Sequence, residues 1–259
     1  MLAIDNYAYT SSLAAKSPHQ KVLFGGMPLM ICLAVNSLAA SALTLLVMST
    51  AAVAYTNITW GRYLRLLVLP TGFMLAGSIT VIFQAFPAGQ PVLWGITMAD
   101  SVYGVDAGSL LYGIKLALRA LAAVSCMCFI SLTTPLNDII YVLRKWRVPT
   151  LVISLMVLIY RYIFVLLDEA QRLQIAQSSR LGYINARTAL KSLRRLAASL
   201  FVRTFLRCNN VYAALAARGY QGEFPYLAKT YERDNKLIIA TLLLCAGLVG
   251  AVILEGKIC

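Results

Sequence analysis

Six long apolar runs govern what this chain can become: Val22–Val35, Leu38–Tyr55, Leu64–Phe86, Leu110–Leu132, Leu151–Leu167 and Leu237–Leu254. A helix needs about 20 mostly apolar residues to cross the hydrocarbon of a bilayer. Composition agrees: 60% of residues are hydrophobic and 13% charged, where an average soluble domain carries roughly a quarter charged residues. The expected fold is an all-α integral membrane protein, multi-pass and seated in the cytoplasmic membrane.

The first two runs are separated only by Asn36-Ser37, a tight polar break that suits a helical hairpin. Pro70, Gly72 and Gly77 inside the third suggest a kinked helix, which neighbouring helices can tolerate. The first 20 residues are mixed and polar, unlike a secretory signal, so the chain inserts through its own helices.

Charge sets the orientation, because Lys and Arg concentrate in cytoplasmic loops near helix ends. Pro87–Val105 has no Lys or Arg, with Asp100 inside it and Asp106 immediately after it, so it faces outside. Arg62 and Arg65 put the preceding loop, and the N-terminus with it, inside. Residues 133–235 hold 15 of the 23 Lys and Arg against six acids, +9 of a net +13. Both flanks of Leu151–Leu167 are basic: Arg144, Lys145 and Arg147 before it, Arg172 onward after it. That symmetry argues against a full crossing, and Tyr160-Arg161-Tyr162 suits an interface better than the midplane. The expectation is five spanning helices, with a sixth left open, and an oblique apolar helix over 151–167. The organisation is then 1–132 (N-terminal segment and four membrane helices), 133–235 (cytoplasmic coupling-helix region) and 236–259 (last membrane helix).

Little in the chain suggests catalysis. The six cysteines include no C-x-x-C pair and there is one histidine, His19, so neither disulfides nor a metal site is expected of this chain. A membrane enzyme would need convergent carboxylates, but Asp100 and Asp106 lie in the outer loop and the adjacent Asp168-Glu169 point apart on a helix. A channel or secondary transporter binding its own substrate would carry polar groups inside the membrane. Lys115 and Arg119, one turn apart in the fourth run, are the serious candidates. Against them stands a simpler account, snorkelling to the outer interface or bonding to backbone carbonyls.

The basic region reads as one helix from Asp168 to Arg180 and another from Ala186 to Ala217, with a break near Gly182. On the second, Leu190, Leu193, Ala197, Leu200, Phe201, Thr204 and Val211 approximate a 3.6-residue stripe, and Arg187, Lys191, Arg194, Arg195, Arg203 and Arg207 lie largely off it. Such a helix can rest on anionic lipid, at about 1 kcal/mol per basic residue near the surface. That is sufficient cause for the charge, and no nucleic-acid-binding fold is recognisable.

Two segments stand apart: Ser178-Ser179-Arg180-Leu181-Gly182-Tyr183 and Ala216-Ala217-Arg218-Gly219-Tyr220-Gln221-Gly222. Each places small residues, an arginine, a nearby glycine and a tyrosine at the end of a helix. A left-handed glycine ends helices and an arginine complements the dipole there, so singly either motif reads as a helix stop. Two of them 38 residues apart could give one contact to each of two partners, with arginine forking into carboxylates.

At these residues the chain resembles the transmembrane T component of energy-coupling factor (ECF) transporters, above all the CbiQ type of the cobalt group and its nickel relatives. Ala217-Arg218-Gly219 fits that family's second coupling motif. Ser179-Arg180-Leu181-Gly182 departs from the strict triplet but is similar to the CbiQ version. Ile4-Asp5-Asn6-Tyr7-Ala8-Tyr9-Thr10-Ser11 with Pro18 and Lys21, Thr133-Thr134-Pro135-Leu136-Asn137-Asp138, and Tyr160-Arg161-Tyr162 through Glu169 and Arg172 extend the resemblance over nearly the whole chain. It implies a non-catalytic subunit with no cofactor of its own and ATP on its partners. Those partners would be two CbiO-like ATPases, a CbiM-like substrate-binding membrane subunit and a small CbiN-like helper. Ser179, Arg180, Leu181, Gly182, Ala217, Arg218 and Gly219 would be the contacts to the ATPases.

Overall fold

The structure, a computed structural model, describes residues 3–35, 37–87, 94–98, 101–220, 231 and 234–258. Asn36, Asp100, Gln221, Gly222 and Cys259, singled out above, lie outside the described residues. The described elements are α1 (Ala3–Thr10), α2 (Pro18–Ala34), α3 (Leu38–Thr56), α4 (Trp60–Ile82), β1 (Gln84–Pro87), β2 (Trp94–Met98), β3 (Ser101–Val105), α5 (Ala107–Thr133), α6 (Leu136–Lys145), α7 (Thr150–Ser178), α8 (Ala186–Ala217) and α9 (Asn235–Ile258). Helices α6, α7 and α8 form one compact unit, and the remaining elements form another.

The second unit is built around α5, whose most extensive partner is α3. The buried residues of α3 are mostly small, Ala40, Ser41, Thr44, Ala52 and Thr56, with Met48 as the one large side chain among them. Small side chains let helix backbones approach closely where lipid supplies no hydrophobic drive. The hydroxyls among them turn back onto their own helix: Ser41 Oγ donates to Ser37 O (2.9 Å) and Thr44 Oγ1 to Ala40 O (2.8 Å). Ser125 and Thr133 do the same on α5, toward Ala122 O and Phe129 O (both 2.7 Å). A buried hydroxyl thus needs no partner from lipid. Helix α3 starts at Ser37, whose side chain accepts from the Ala40 N–H (3.1 Å), and stops at Asn57, which is left-handed at φ 54°. Asparagine tolerates that conformation better than most residues.

Helix α2 runs antiparallel to α5. Lys21, fully buried, donates from Nζ to Thr133 O (3.4 Å) at the C-terminal end of α5. The cation meets the negative end of the helix dipole, worth up to about 2 kcal/mol when partly buried. The Phe24 and Phe129 rings pack at 5.1 Å. A Cβ on Gly25 would sit 2.5 Å from Ile130 Cγ1, so α2 lies against α5 there as closely as a glycine allows.

Helix α9 is clamped at its start. Asp234 Oδ1 accepts from the Lys236 N–H (3.0 Å), the geometry of an N-cap, and Asp234 Oδ2 is ion-paired with Lys16. Gln20 completes the clamp, donating from Nε2 to Asp234 O (3.3 Å) and accepting the Asp234 N–H at Oε1 (3.1 Å).

Five described helices are long and apolar enough to cross a membrane: α3, α4, α5 from Gly108, α7, and α9 to Ile253. The number agrees with the sequence reading, but the membership differs. Helix α2 has 17 residues, at the lower limit for a span. Helix α7, expected as an oblique run over 151–167 followed by a separate polar helix, is one helix of 29 residues through Ser178. Charge patterning marks where the apolar run stops but cannot break a helix, and no Pro or Gly stands between Thr150 and Ser178. The stretch read as an outer loop also carries a small antiparallel sheet in the order β1-β3-β2, with Gln84 opposite Gly104 and Trp94 opposite Val105.

Asp234→Ala removes the ion pair and the cap of α9 together and should cost about 2 kcal/mol. It should lower the unfolding temperature in detergent, while Asp234→Asn, which keeps an acceptor for the cap, should lose less.

Candidate functional site

The unit of α6, α7 and α8 carries the residues that the sequence singled out. Helix α7 does not fray at its end. The Gly182 N–H reaches back to Gln177 O (2.9 Å) and the Leu181 N–H to Ser178 O (3.0 Å). This pair of bonds is the Schellman closure of a helix. In it Arg180 is the last half-helical residue and Leu181 the left-handed one, at φ 59°. Helix α8 closes in the same way. The Tyr220 N–H bonds Leu215 O (3.1 Å), the Gly219 N–H bonds Ala216 O (3.0 Å), and Gly219 is left-handed at φ 72°.

The two motifs therefore align by geometry as Ser179-Arg180-Leu181 with Ala217-Arg218-Gly219. Each arginine occupies the same position relative to its helix closure. Both are exposed, and neither guanidinium has a hydrogen-bond or ion-pair partner among the described residues. A closed end holds the Cα of its arginine on the rigid helix, so a force on the side chain passes directly into the rod.

The glycine of the first motif has a different reason from the one expected. The left-handed residue is Leu181, which costs roughly 1–2 kcal/mol relative to glycine. Gly182 is required by closeness instead, since a Cβ there would sit 2.8 Å from both Gln177 O and Ser192 Oγ. Ser192, in α8, donates from Oγ to Gly182 O (2.9 Å), Gln177 Nε2 donates to Ser192 O (3.1 Å), and Tyr183 OH donates to Gln177 Oε1 (2.7 Å). These four side and main chains lock the end of α7 to the second turn of α8. Gln177 and Ser192 were not singled out from the sequence, because neither belongs to a pattern that announces a tertiary contact. Farther along, Arg203 of α8 is ion-paired with Glu169 of α7.

Helix α8 starts at Asn185 with a capping box, Thr188 Oγ1 accepting the Asn185 N–H (3.1 Å). None of its 32 residues is buried. Its less exposed stripe is Ala189, Ser192, Leu196, Leu200, Thr204, Val211 and Leu215. Leu190, Leu193 and Phe201, placed on the apolar stripe by the sequence, are exposed. Two apolar stripes lie side by side on α8, and the less exposed one includes Ser192, which makes the hydrogen bonds to α7.

Helix α6 ends in a third closure of this kind. The Val148 N–H bonds Leu143 O (3.2 Å), and Arg147 itself is left-handed at φ 58°. Here Trp146, not an arginine, holds the position of Arg180 and Arg218. Among the described residues no group of three or more His, Cys, Asp or Glu is placed to hold a metal ion.

These features define a multi-pass helical membrane protein with two closed, arginine-bearing helix ends in one unit. The cobalt transport protein family CbiQ matches residues 10–227, and the chain belongs to that family. It is 29% identical over 224 residues to the cobalt transport protein CbiQ of Salmonella typhimurium, covering 86% of this chain and 99% of that one. It is 27% identical over 219 residues to the energy-coupling factor transporter transmembrane protein EcfT of Lactococcus lactis, covering 78% of this chain and 79% of that one. A fused cobalt transport protein, CbiMQ, of Methanocorpusculum labreanum is 32% identical over 176 residues, 68% of this chain and 29% of the longer fusion. The chain is thus a T component of the ECF class, CbiQ type.

Gly182→Ala should separate α7 from α8 at Ser192 and cost about 1–3 kcal/mol. Leu181→Gly relieves the left-handed strain and should be neutral or mildly stabilising. Protease resistance of the 178–192 segment in the purified protein checks both: resistance falls in the first variant and holds in the second.

Proposed function

We propose that this chain is the energy-coupling membrane subunit of an ATP-driven uptake transporter for a divalent metal ion, cobalt by the names of its relatives. It binds neither ATP nor the metal. Two CbiO-like ATPase subunits dock on Arg180 and Arg218, and a CbiM-like membrane subunit, with a CbiN-like helper, captures the ion. The fusion of CbiM and CbiQ in one relative supports direct association of those two components.

One observation carries the reading: two exposed, side-chain-unpartnered arginines at equivalent positions of two closed helix ends. A guanidinium in that setting is a planar fork of donors matched to carboxylates. Closure of the ATPase pair would move one end relative to the other. The lock at Ser192 and the Arg203–Glu169 pair would convert that movement into a tilt of α7 and α8. Helix α8 has exposed Leu190, Leu193, Phe201, Phe205 and Tyr212, and the membrane surface or the neighbouring subunit would cover them.

In a tagged pull-down from mildly solubilised membranes, wild type should bring down the ATPase subunits. Arg180→Glu/Arg218→Glu should lose them at least tenfold and abolish uptake, with membrane insertion unchanged. Wild-type protein that purifies alone while supporting uptake would overturn the coupling role and favour an autonomous transporter.

A further inference from the structure

Helix α5 carries two basic residues, Lys115 and Arg119, that the coupling role does not use. They continue the stripe along which α5 packs. From Lys115 the stripe runs through Arg119, Ala122, Cys126, Phe129 and Thr133, at alternating steps of four and three residues. Ala122, Cys126, Phe129 and Thr133 are all fully buried. Toward the N-terminus the cover thins, and residues 115–121 are all only partly buried. Lys21 lies level with Thr133 and Gly25 with Phe129–Ile130, so the end of α2 at Ala34 comes level with about residue 120 of α5 at equal rise per residue.

Beyond that point α5 is covered chiefly on one side. Gly113 abuts Ile82 of α4. At 100° per residue Lys115 and Arg119 lie about 200° and 240° round from Gly113, away from α4. Leu111 and Tyr112, on the same face as Lys115, are exposed. The result is a face of apolar side chains around two cations, at the end of α5 nearer its N-terminus.

Arg119 has no hydrogen-bond or ion-pair partner among the described residues, and its Nε is enclosed without one. Bonding to backbone carbonyls, the simplest use for such a side chain, is therefore not made there. Nor can it reach lipid headgroups. The apolar part of α5 spans 26 residues, Gly108–Thr133, about 39 Å, so a hydrocarbon layer of about 30 Å centred on it begins about 4–5 Å in from Gly108. The Cα of Arg119 then lies about 12 Å inside that boundary, whereas an extended arginine side chain reaches roughly 7 Å from its Cα by ordinary bond lengths. Lys115, about 6 Å higher, can snorkel. Arg119 needs its counter-charge within the membrane, where unpaired charges are costly and mark interaction sites.

We infer that this face of α5 seats a transmembrane helix of the substrate-binding membrane subunit, and that Arg119, assisted by Lys115, pairs with a carboxylate on that helix. Leu111 and Tyr112 supply the apolar contact around the pair. This rests on the proposed coupling role, which requires such a subunit, and it names the place where the subunit is held.

The test is a pull-down of the assembled complex with the ATPases and the membrane subunit quantified separately. Lys115→Leu/Arg119→Leu makes α5 more apolar, so insertion should not suffer. It should lose the membrane subunit at least tenfold and keep the ATPases. Arg119→Glu should lose it too and regain it when the partner's carboxylate is replaced by Arg. A photo-cross-linking residue at Leu111 should form an adduct with the membrane subunit. Unchanged retention of the membrane subunit in the double-Leu variant would overturn the inference. So would adducts at Leu111 with lipid only, or a loss confined to co-purifying anionic lipid. Absence of the ATPases from the wild-type complex would instead remove the coupling role itself.

Discussion

Hydrocarbon offers no hydrogen-bond partner, and this one constraint arranges nearly everything polar in the protein. Each buried hydroxyl of α3 and α5 bonds a carbonyl of its own helix. The buried cation Lys21 sits where α5 runs out of internal donors for its carbonyls, at Thr133 O. Asp234 caps α9 while pairing with Lys16. Charge is thus pressed toward helix ends, where the backbone itself provides the opposite partial charge. Among the described residues Arg119 is an exception, and the inferred pairing would supply its partner from another chain.

The same pressure on helix ends shapes the two arginine-bearing ends proposed to couple to the ATPases. A helix meant to transmit displacement must not unwind at its tip, because a frayed last turn absorbs the movement. Schellman closures at Leu181 and Gly219 remove that slack and hold each arginine on the last ordered turn. The rods behind them are long: 29 residues in α7 and 32 in α8, about 44 and 48 Å at the ordinary rise. They touch through a hydrogen-bonded lock at Gly182–Ser192 and an ion pair at Glu169–Arg203, with little buried apolar surface between. In the proposed mechanism, contacts of that sort would give a pivot without cementing the two helices into one body.

Much of this was legible in the chain, for physical reasons that differ from element to element. Long apolar runs can only be helices across lipid, so the all-α multi-pass class followed from them, as did the hairpin of α2 and α3. The two arginine ends were visible because a helix stop leaves a signature of small residue, cation and glycine. What was not legible depends on contact. Gly182 looked like a left-handed stop, yet Leu181 takes that conformation and Gly182 admits Ser192. The packed stripe of α8 includes Ser192 and not Leu190 or Phe201, since hydrophobicity cannot choose between two adjacent apolar stripes. Helix α7 continues past Leu167 because its residues are all compatible with helix, whatever their charge. The strands between α4 and α5 were missed because β pairing depends on residues distant in sequence.

The central claim is that Arg180 and Arg218 move relative to each other when the ATPases close. Spin labels at Ser179→Cys and Ala217→Cys, in a chain with its native cysteines replaced and assembled with its partners, would report this by pulsed dipolar spectroscopy. The label-to-label distance distribution should shift between the ATP-trapped and nucleotide-free complexes, and the shift should vanish in the Arg180→Glu/Arg218→Glu background. An identical distribution in both states, in a complex that still hydrolyses ATP and transports metal, would contradict the coupling mechanism.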